Sequence, residues 1–388
     1  MNVCQALAKY GHEVTLWTNK VSPEKYLQEP ALFKIVQVED GRLSSDQYDG
    51  SGKYSLSRFT SGYLRNSYSV LNTALKAAQK EKFDVLHGTG IEFSTATLLL
   101  KRFSGQIPPF VIEISAANFS FKTYAGTFPI RCYKVFQREL FKTTLGREVK
   151  GIAVLGEYHL GALRKQLGIS ENFPIGVIPD GGSVPTFRLE AREARLRLGL
   201  GDYRGTIFLF FGLLRKEKGI EDLLQAVSLL NGRDFRLMIA GAPRDYSEEQ
   251  ITSLVSANRI DGKVLTKFAY IPEDEVPVYF YAADALILPY SRIYTGGSGP
   301  LLKGAGIHGR PSIVTDVSEM GRLVKLHNMG LVAEPGHPRS LAQKMQEFIE
   351  MSATTRQQMA ENAFAVAKEN TWDTMAVKFT DLYQLAMQ

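Results

Sequence analysis

The chain has 388 residues, 44% hydrophobic and 22% charged, with a formal net charge of +6. That length exceeds one ordinary core and points to two domains of roughly 150–200 residues each. No run reaches the ~18 apolar residues of a membrane helix, and Met1-Asn2-Val3-Cys4-Gln5 lacks the basic and apolar regions of a signal peptide. Two isolated cysteines, Cys4 and Cys132, make neither a disulfide framework nor a zinc site, so a reducing, cytoplasmic setting is expected. The basic balance suits phosphates, anionic lipid or nucleic acid, or is simply a solvated surface.

Along the chain, short β-branched or aromatic runs alternate with longer helical periods, the pattern of parallel sheets flanked by helices. Asn2 to Lys9 reads as the tail of a helix stopped near Gly11, and Glu13 to Trp17 as a strand. The strand and Gly-rich loop that usually open such a domain are missing, so the true start is expected upstream or the chain begins late. Residues 36–56 read as irregular, Leu64 to Lys82 as a helix, and Phe83 to His87 as a buried strand ending in Gly88-Thr89-Gly90. Phe110 to Ile114 is a strand and Pro129 to Thr144 an amphipathic helix, with basic residues running on to Lys150. Strand Gly151 to Leu155, a helix ending near Gly168, and a short strand at Val177-Ile178 follow.

A second cycle begins after a charged helix at Leu189 to Leu198. Strands are expected at 206–211, 236–240, 264–268, 285–288 and 312–315. Helices are expected at 220–230, 248–257, 275–283 and 300–307, with two more at the C-terminus. In open α/β sheets ligands sit at the carboxyl ends of strands, so the loops after 87, 115, 180, 211, 241, 268 and 289 carry the interest.

Two of these loops look built for an anion. Gly212 lets the backbone turn after a buried strand, and Arg215 and Lys218 then stand at a helix entry. Cations there oppose the helix dipole unless an anion binds between them; the bland reading is a solvated basic turn. Tyr294-Thr295-Gly296-Gly297-Ser298-Gly299-Pro300-Leu301 precedes an apolar helix that Ser298 is expected to cap. Its glycines leave N–H groups to face a phosphate, with Pro300 at the first helical position; the alternative is an ordinary cap with loop glycines. Two such loops in one domain favour a diphosphate.

Phe210-Phe211-Gly212-Leu213-Leu214-Arg215-Lys216-Glu217-Lys218-Gly219, Tyr270-Ile271-Pro272-Glu273-Asp274-Glu275 and Gly309-Arg310-Pro311-Ser312-Ile313-Val314-Thr315-Asp316 together resemble the donor-binding signatures of the family 4 retaining glycosyltransferases, in their cell-envelope or exopolysaccharide form. The resemblance implies an α/β GT-B fold of two doubly wound Rossmann-like domains facing a cleft. On this chain the domains would be 1–184 for the acceptor, 185–370 for the nucleotide sugar, and a helix 371–388 crossing back to the first. It implies that Arg215 and Lys218 clamp the donor diphosphate and stabilise its developing charge. Backbone N–H groups from Ser298 to Leu301, with Thr295, Gly297, Gly299 and Pro300, would cradle the distal phosphate beside Gly212. Phe268, Tyr270 and Ile271 would flank the base. No metal or other cofactor is expected.

The chain departs from that pattern in two ways. Leu213 stands where the family usually has Arg, and the family's two glutamates, which hold sugar and ribose, align with Gly296 and Gly304. In the N-terminal half, His87 stands at a strand end where the family often carries a catalytic histidine, and Glu113 and Asp180 are weighed as acceptor or cleft residues. For each of these the alternative is a structural role.

The implied activity is retaining transfer of a hexose, with UDP-glucose the first donor to test, to a sugar hydroxyl of a polysaccharide or lipid-linked saccharide. Arg131, Lys134, Arg138, Lys142, Arg147 and Lys150, interleaved with Tyr133, Phe136 and Phe141, read either as an ordinary domain helix with its charged face in water or as a peripheral contact with anionic membrane at its inner face. No nucleic-acid motif is present. The competing functions are a catalytically degenerate sugar-nucleotide-binding subunit and a UDP-sugar 2-epimerase.

Overall fold

The computed structural model describes residues 1–19, 27, 29–38, 56–116, 128–185, 187–230 and 232–388, with side chains in the helix that opens at 56 described from residue 64. Two compact units emerge. One holds the described residues up to Pro179 together with Trp372–Gln388, and the other holds Asp180–Thr371.

The first unit opens with helix α1 (Asn2–Lys9), which stops before Gly11 at φ +103°, and with strands β1 (Thr15–Thr18) and β2 (Lys34–Gln37), a parallel pair. There follow α2 (Leu56–Ala78), β3 (Leu86–Gly88), α3 (Phe93–Arg102), β4 (Phe110–Ile114), α4 (Phe128–Lys142), β5 (Val149–Val154), α5 (Glu157–Leu167) and β6 (Ile175–Val177). Strands β3 to β6 form a parallel sheet in chain order. Its strands alternate between two cores. Phe110, Ile112, Ile114, Ile152 and Val154 face the cluster that includes Leu75, Leu100 and Phe141. Val111 and Ala153 face Ala6, Met375, Phe379 and Leu382 on the opposite side.

Several expectations are corrected here. The strand expected at 83–87 is Leu86–Gly88, the helix expected at 64–82 is Leu56–Ala78, and β2 and α3 were not foreseen. Much of the irregular stretch 36–56 lies outside the described residues. The basic helix ends at Lys142, so Arg147 and Lys150 are not on it; Lys150 lies on β5. The helix is also not one basic face. Phe141 is fully buried, Gln137 is 2% exposed, and Tyr133 donates to Glu92 at 2.9 Å.

Glu92 explains that inward face. It caps α3, accepting from Ser94 and Thr95 backbone N–H groups, and also receives Tyr133 and Gln137 from α4. Burial pushes its carboxyl up, but the Thr95, Ser94 and Tyr133 donors outweigh that and hold it below the usual value.

The second unit contains α6 (Ala191–Arg197), β7 (Thr206–Phe211), α7 (Ile220–Leu229), β8 (Phe235–Ala240), α8 (Glu248–Ala257), β9 (Val264–Lys267), α9 (Val276–Ala282) and β10 (Ala285–Leu288). A π-helix (Pro300–Gly306), β11 (Ser312–Thr315), α10 (Ser318–Leu326), β12 (Gly330–Ala333), α11 (Pro338–Glu350) and α12 (Ala353–Lys368) complete it. The two C-terminal helices expected after 315 are therefore four, counting the last one below, and β12 is an additional strand. Gly330, at φ +154° with Ser312 O 1.9 Å from any added Cβ, lets β12 close against β11. The sheet is parallel in the order β12-β11-β10-β7-β8-β9. Both faces are covered: Phe208 and Phe210 of β7 enter one core with Phe235 and Phe348, and Ile207 and Leu209 enter the other, which is why this strand is an unbroken apolar run.

The chain ends in α13 (Trp372–Ala386), which packs on β4, β5 and β6 of the first unit. Gly151 and Gly176 leave room for Leu382, whose methyls lie 3.4 and 3.2 Å from their added Cβ positions. His87 Nδ1 meets Tyr383 Oη at 2.8 Å, and its ring lies 4.7 Å from that of Phe379. Burial pushes this imidazole down to about 4. The unfolded chain then takes up a proton below about pH 6.5 that the folded chain refuses until about pH 4. Stability falls as pH drops through that window, by on the order of 3 kcal/mol from this group alone. Replacing His87 with Phe should flatten that segment of a stability-versus-pH curve measured by urea unfolding; an unchanged slope would refute the assignment.

Candidate functional site

The second sheet reverses its strand order between β7 and β10, since β8 and β9 extend to one side and β11 and β12 to the other. The crevice at such a switch point, outside the carboxyl ends of the strands, is where open α/β sheets bind ligands. The chain leaves β7 at Gly212 and β10 at Pro289, so both anion-suited loops of the sequence open onto this crevice.

Three glycines make the approach of these loops feasible. Gly212 takes φ +112°, and a Cβ there would stand 3.0 Å from Lys218 Nζ and 3.7 Å from Pro300 Cγ. Gly241, after β8, has φ +154° and lies against the Gly212 carbonyl, 1.9 Å from an added Cβ. Gly219, φ +69°, lies equally close to the Pro289 carbonyl. Ser291 N–H donates to Glu217 O at 2.9 Å and fastens the two loops again.

Lys218 and Pro300 thus meet across Gly212, as the sequence suggested. Lys218 is 8% exposed, and its ammonium makes no ion pair or hydrogen bond among the described residues. Its ammonium lies 5.6 Å from the centre of the Tyr290 ring. Burial, then the nearby Arg215 charge, push it down to about 8 against the pull of Glu217. Arg215 is spoken for on one side: Nη2 pairs with Glu217 Oε1 at 2.5 Å, while its buried Nε has no partner.

The glycine-rich loop needs correction in two respects. Ser298 does not cap the helix that follows, which is N-capped by Gly299 without a side-chain bond; its hydroxyl lies 3.4 Å from Tyr290 Oη. Of the N–H groups expected to face a phosphate, Leu301's donates to the Ser298 carbonyl at 3.1 Å, and Pro300 has none. The Ser298 and Gly299 N–H groups are the ones left to an anion. The loop itself is pinned: Tyr294 Oη donates to the Gly297 carbonyl and Ser318 Oγ to the Gly296 carbonyl at 2.9 Å. Thr295 is half-buried beside them.

The helix beyond is a wide π-turn rather than an α-helix, a form uncommon outside functional sites. Gly304 lies on it with the Phe280 ring 2.3 Å from an added Cβ, so the ring occupies the place of any side chain. Lys303, one residue before, reaches Asp180 Oδ1 at 3.3 Å.

The remaining candidates distribute as follows. Ile271 is core, Phe268 packs on the core cluster, and Tyr270 is 65% exposed. In the first unit His87 is occupied by Tyr383. Glu113 has the same strand parity as Val111 and so faces α13, where its charge helps to raise the Tyr383 hydroxyl after burial and Cys4. Sequence reasoning missed Tyr290, Glu217 and Lys303. A signal existed for the first, an aromatic placed just past the carboxyl end of a buried strand.

Residues 202–366 match the family described as glycosyl transferases group 1. The 2-deoxystreptamine glucosyltransferase of Streptomyces kanamyceticus is 29% identical over 211 residues, covering 53% of this chain. The chain spans about half the length of the curated relatives it matches, 52% in that case. Among solved structures, sucrose-phosphate synthase from Thermosynechococcus elongatus superposes with a TM-score of 0.77 at 18% identity, covering 98% of this chain and 91% of its own. Anabaena HepE, solved in complex with UDP, gives 0.73 at 12% identity, covering 98% and 94%. The chain has the α/β GT-B fold with Rossmann-like parallel sheets.

Proposed function

We propose that the protein is a retaining glycosyltransferase of the family 4 type that moves a hexose from a nucleoside diphosphate sugar to a sugar hydroxyl. The observation that carries this reading is Lys218, a buried ammonium with no ion-pair partner among the described residues, beside the Gly297–Leu301 turn at a sheet switch point. A desolvated cation is costly alone and is matched by a diphosphate lying between it, Arg215 and the Ser298 and Gly299 N–H groups. The same groups would stabilise the diphosphate as it leaves, with no metal ion in the scheme. UDP is the nucleotide to test first, in keeping with the UDP complex of HepE and the glucosyl activity named for the curated relative.

Isothermal titration should show UDP binding that Arg215→Ala weakens by about 1 kcal/mol, since Arg215 is part-exposed and shared with Glu217. Absence of binding by both UDP and GDP would overturn the reading. The degenerate-subunit alternative has one observation in its favour, the Phe280 ring in the space beside Gly304. It predicts nucleotide binding with no turnover of UDP-sugar, alone or with saccharide acceptors.

The acceptor we propose is a saccharide or lipid-linked saccharide met at the cytoplasmic face of a membrane. Among the described residues no helix is long and apolar enough to cross a membrane. Helix α4 supports surface contact: Phe128 and Phe136 are 71% and 56% exposed, with Arg131, Arg138 and Lys142 on the same helix. Co-sedimentation with phosphatidylglycerol vesicles should exceed that with phosphatidylcholine and fall in the Phe128→Ser, Phe136→Ser double variant. Equal pelleting with both vesicles would remove the membrane from the proposal.

A further inference from the structure

The nest and its cations account for a diphosphate, but a hexose needs acceptors as well as donors for its hydroxyls. The surroundings are rich in donors: Arg215, Lys218 and the N–H groups of the turn. The carboxylates that bear on Tyr294 at this site are Glu217 and Asp180, and Glu217 is taken by Arg215 at 2.5 Å. Asp180 is different. Lys303 holds its Oδ1 at 3.3 Å, and no described residue donates to Oδ2. Both side chains are part-exposed, at 29% and 36%, so the pair is held yet reachable.

Its position is fixed from several sides. An added Cβ at Gly299, in the turn, would meet Lys303 Cδ at 4.0 Å, so the lysine stem runs along the nest. The Gly182 Cβ position lies 3.4 Å from Lys303 Cα, and Gly182 N–H donates to the Asn370 carbonyl at 3.2 Å. The segment carrying Asp180 is thereby anchored along the π-helix. Burial drives the Tyr294 hydroxyl up to about 12, and among the charges acting on it are Arg215, Glu217 and Asp180. Tyr290 and Tyr294 are in ring contact at 4.5 Å. Lys218, Tyr290 and Tyr294 thus adjoin in series, and Asp180 and Lys303 form a pair whose lysine stem runs beside Gly299 of the same turn.

We propose that Asp180, positioned by Lys303, is the group that receives the hydroxyls of the transferred sugar, the pair presenting an acceptor and a donor to a vicinal diol. The inference rests on the nucleotide-sugar reading of this site. It assigns the substrate class as a glycosyl group with neighbouring free hydroxyls. The pair also supplies a carboxylate beside the π-helix where position 304 has no room for one, because Phe280 fills that space.

The test compares UDP with UDP-glucose, UDP-galactose and UDP-N-acetylglucosamine by isothermal titration on the full chain and on Asp180→Asn and Lys303→Met. Asp180→Asn is nearly isosteric, and Lys303→Met keeps the stem against Gly299, so a fold defect in one leaves the other informative. The expected result is UDP affinity within about twofold of the parent in both variants, and loss of about tenfold for the preferred UDP-sugar. A deoxyfluoro analogue of that sugar at the engaged hydroxyl should bind parent and Asp180→Asn alike, a readout that a merely structural aspartate would not produce. Unchanged UDP-sugar affinity in both variants, or a parent that binds every UDP-sugar no better than UDP, overturns the inference and leaves the nucleotide reading standing. A parent that fails to bind UDP overturns the reading beneath it.

Discussion

Replacing Lys218 with Met is expected to make the protein more stable and nearly unable to bind UDP. The two effects have one origin. The lysine sits 8% exposed with no carboxylate paired to it, and burial, then the nearby Arg215 charge, push it down to about 8. Against an ordinary lysine that is a penalty of about 3 kcal/mol at pH 7. Met has nearly the same length and no charge to desolvate, so urea unfolding of the nucleotide-free protein should shift in the stabilising direction by a sizeable part of that amount. The charge-assisted bonds to the diphosphate vanish with it, which should lower UDP affinity by ten- to hundredfold. A residue that merely props the loop would lose stability on replacement. A destabilised variant that still binds UDP would therefore contradict the assignment.

The same lysine sets a pH dependence of UDP binding. In the free protein it loses its proton around pH 8, and a bound diphosphate holds the proton on. The complex therefore carries more protons than the free protein, and UDP affinity should fall as pH rises through 8 toward 9. Titrations near pH 8 in buffers of different ionisation enthalpy should register proton uptake in the parent and none in Lys218→Met. Stability of the free protein runs the other way, rising above pH 8 as the buried ammonium is discharged while the unfolded chain keeps its proton.

How far this was legible in the sequence differs between the two units. In the second, β7, β10, β11 and α8 appear at the residues expected from apolar runs and caps. Ser247 with Gln250 makes a reciprocal cap that marks the start of α8, and strands such as Thr206–Phe211, buried on both faces, announce themselves by composition. The pairing of Lys218 with the turn before Pro300 was visible as two anion-suited loops after strands. Asp180 was singled out as a cleft residue, but its pairing was not visible. Asp180 and Lys303 stand 123 positions apart, and nothing local says that one will lie on the other. Ser298 looked like a cap because its residue type suits one, but the π-helix begins with Gly299, and the hydroxyl points toward Tyr290 instead. In the first unit β3 is only Leu86–Gly88, too short to show a period. The role of His87 depends on Tyr383, which lies 296 positions away.

Gly219→Ala should be among the most damaging single methyl groups in the second unit, with Gly241→Ala and Gly330→Ala. The residue has φ +69°, and the added Cβ would stand 1.9 Å from the Pro289 carbonyl oxygen, which is backbone and cannot swing aside. Left-handed strain costs an alanine on the order of 1 kcal/mol, and an overlap that forces two backbones apart costs about 1–3 kcal/mol more. The destabilisation, roughly 2–4 kcal/mol in urea unfolding, is only half the expectation. Pro289 follows β10 directly, and Gly219 joins the Arg215–Lys218 turn to α7, so separating them opens the crevice at the point where the sheet reverses. Lys218 would move away from Gly212 and Pro300, and the diphosphate would lose its cation and its nest together. UDP affinity should drop at least as far as in Lys218→Met, but with lost rather than gained stability. Gly232→Ala is the control: it too has positive φ, at +73°, but nothing lies within 4 Å of its added Cβ. It should pay only the backbone strain and keep UDP affinity. Equal behaviour of the two variants would mean that left-handed strain alone, and not the contact between the two loops, governs the site.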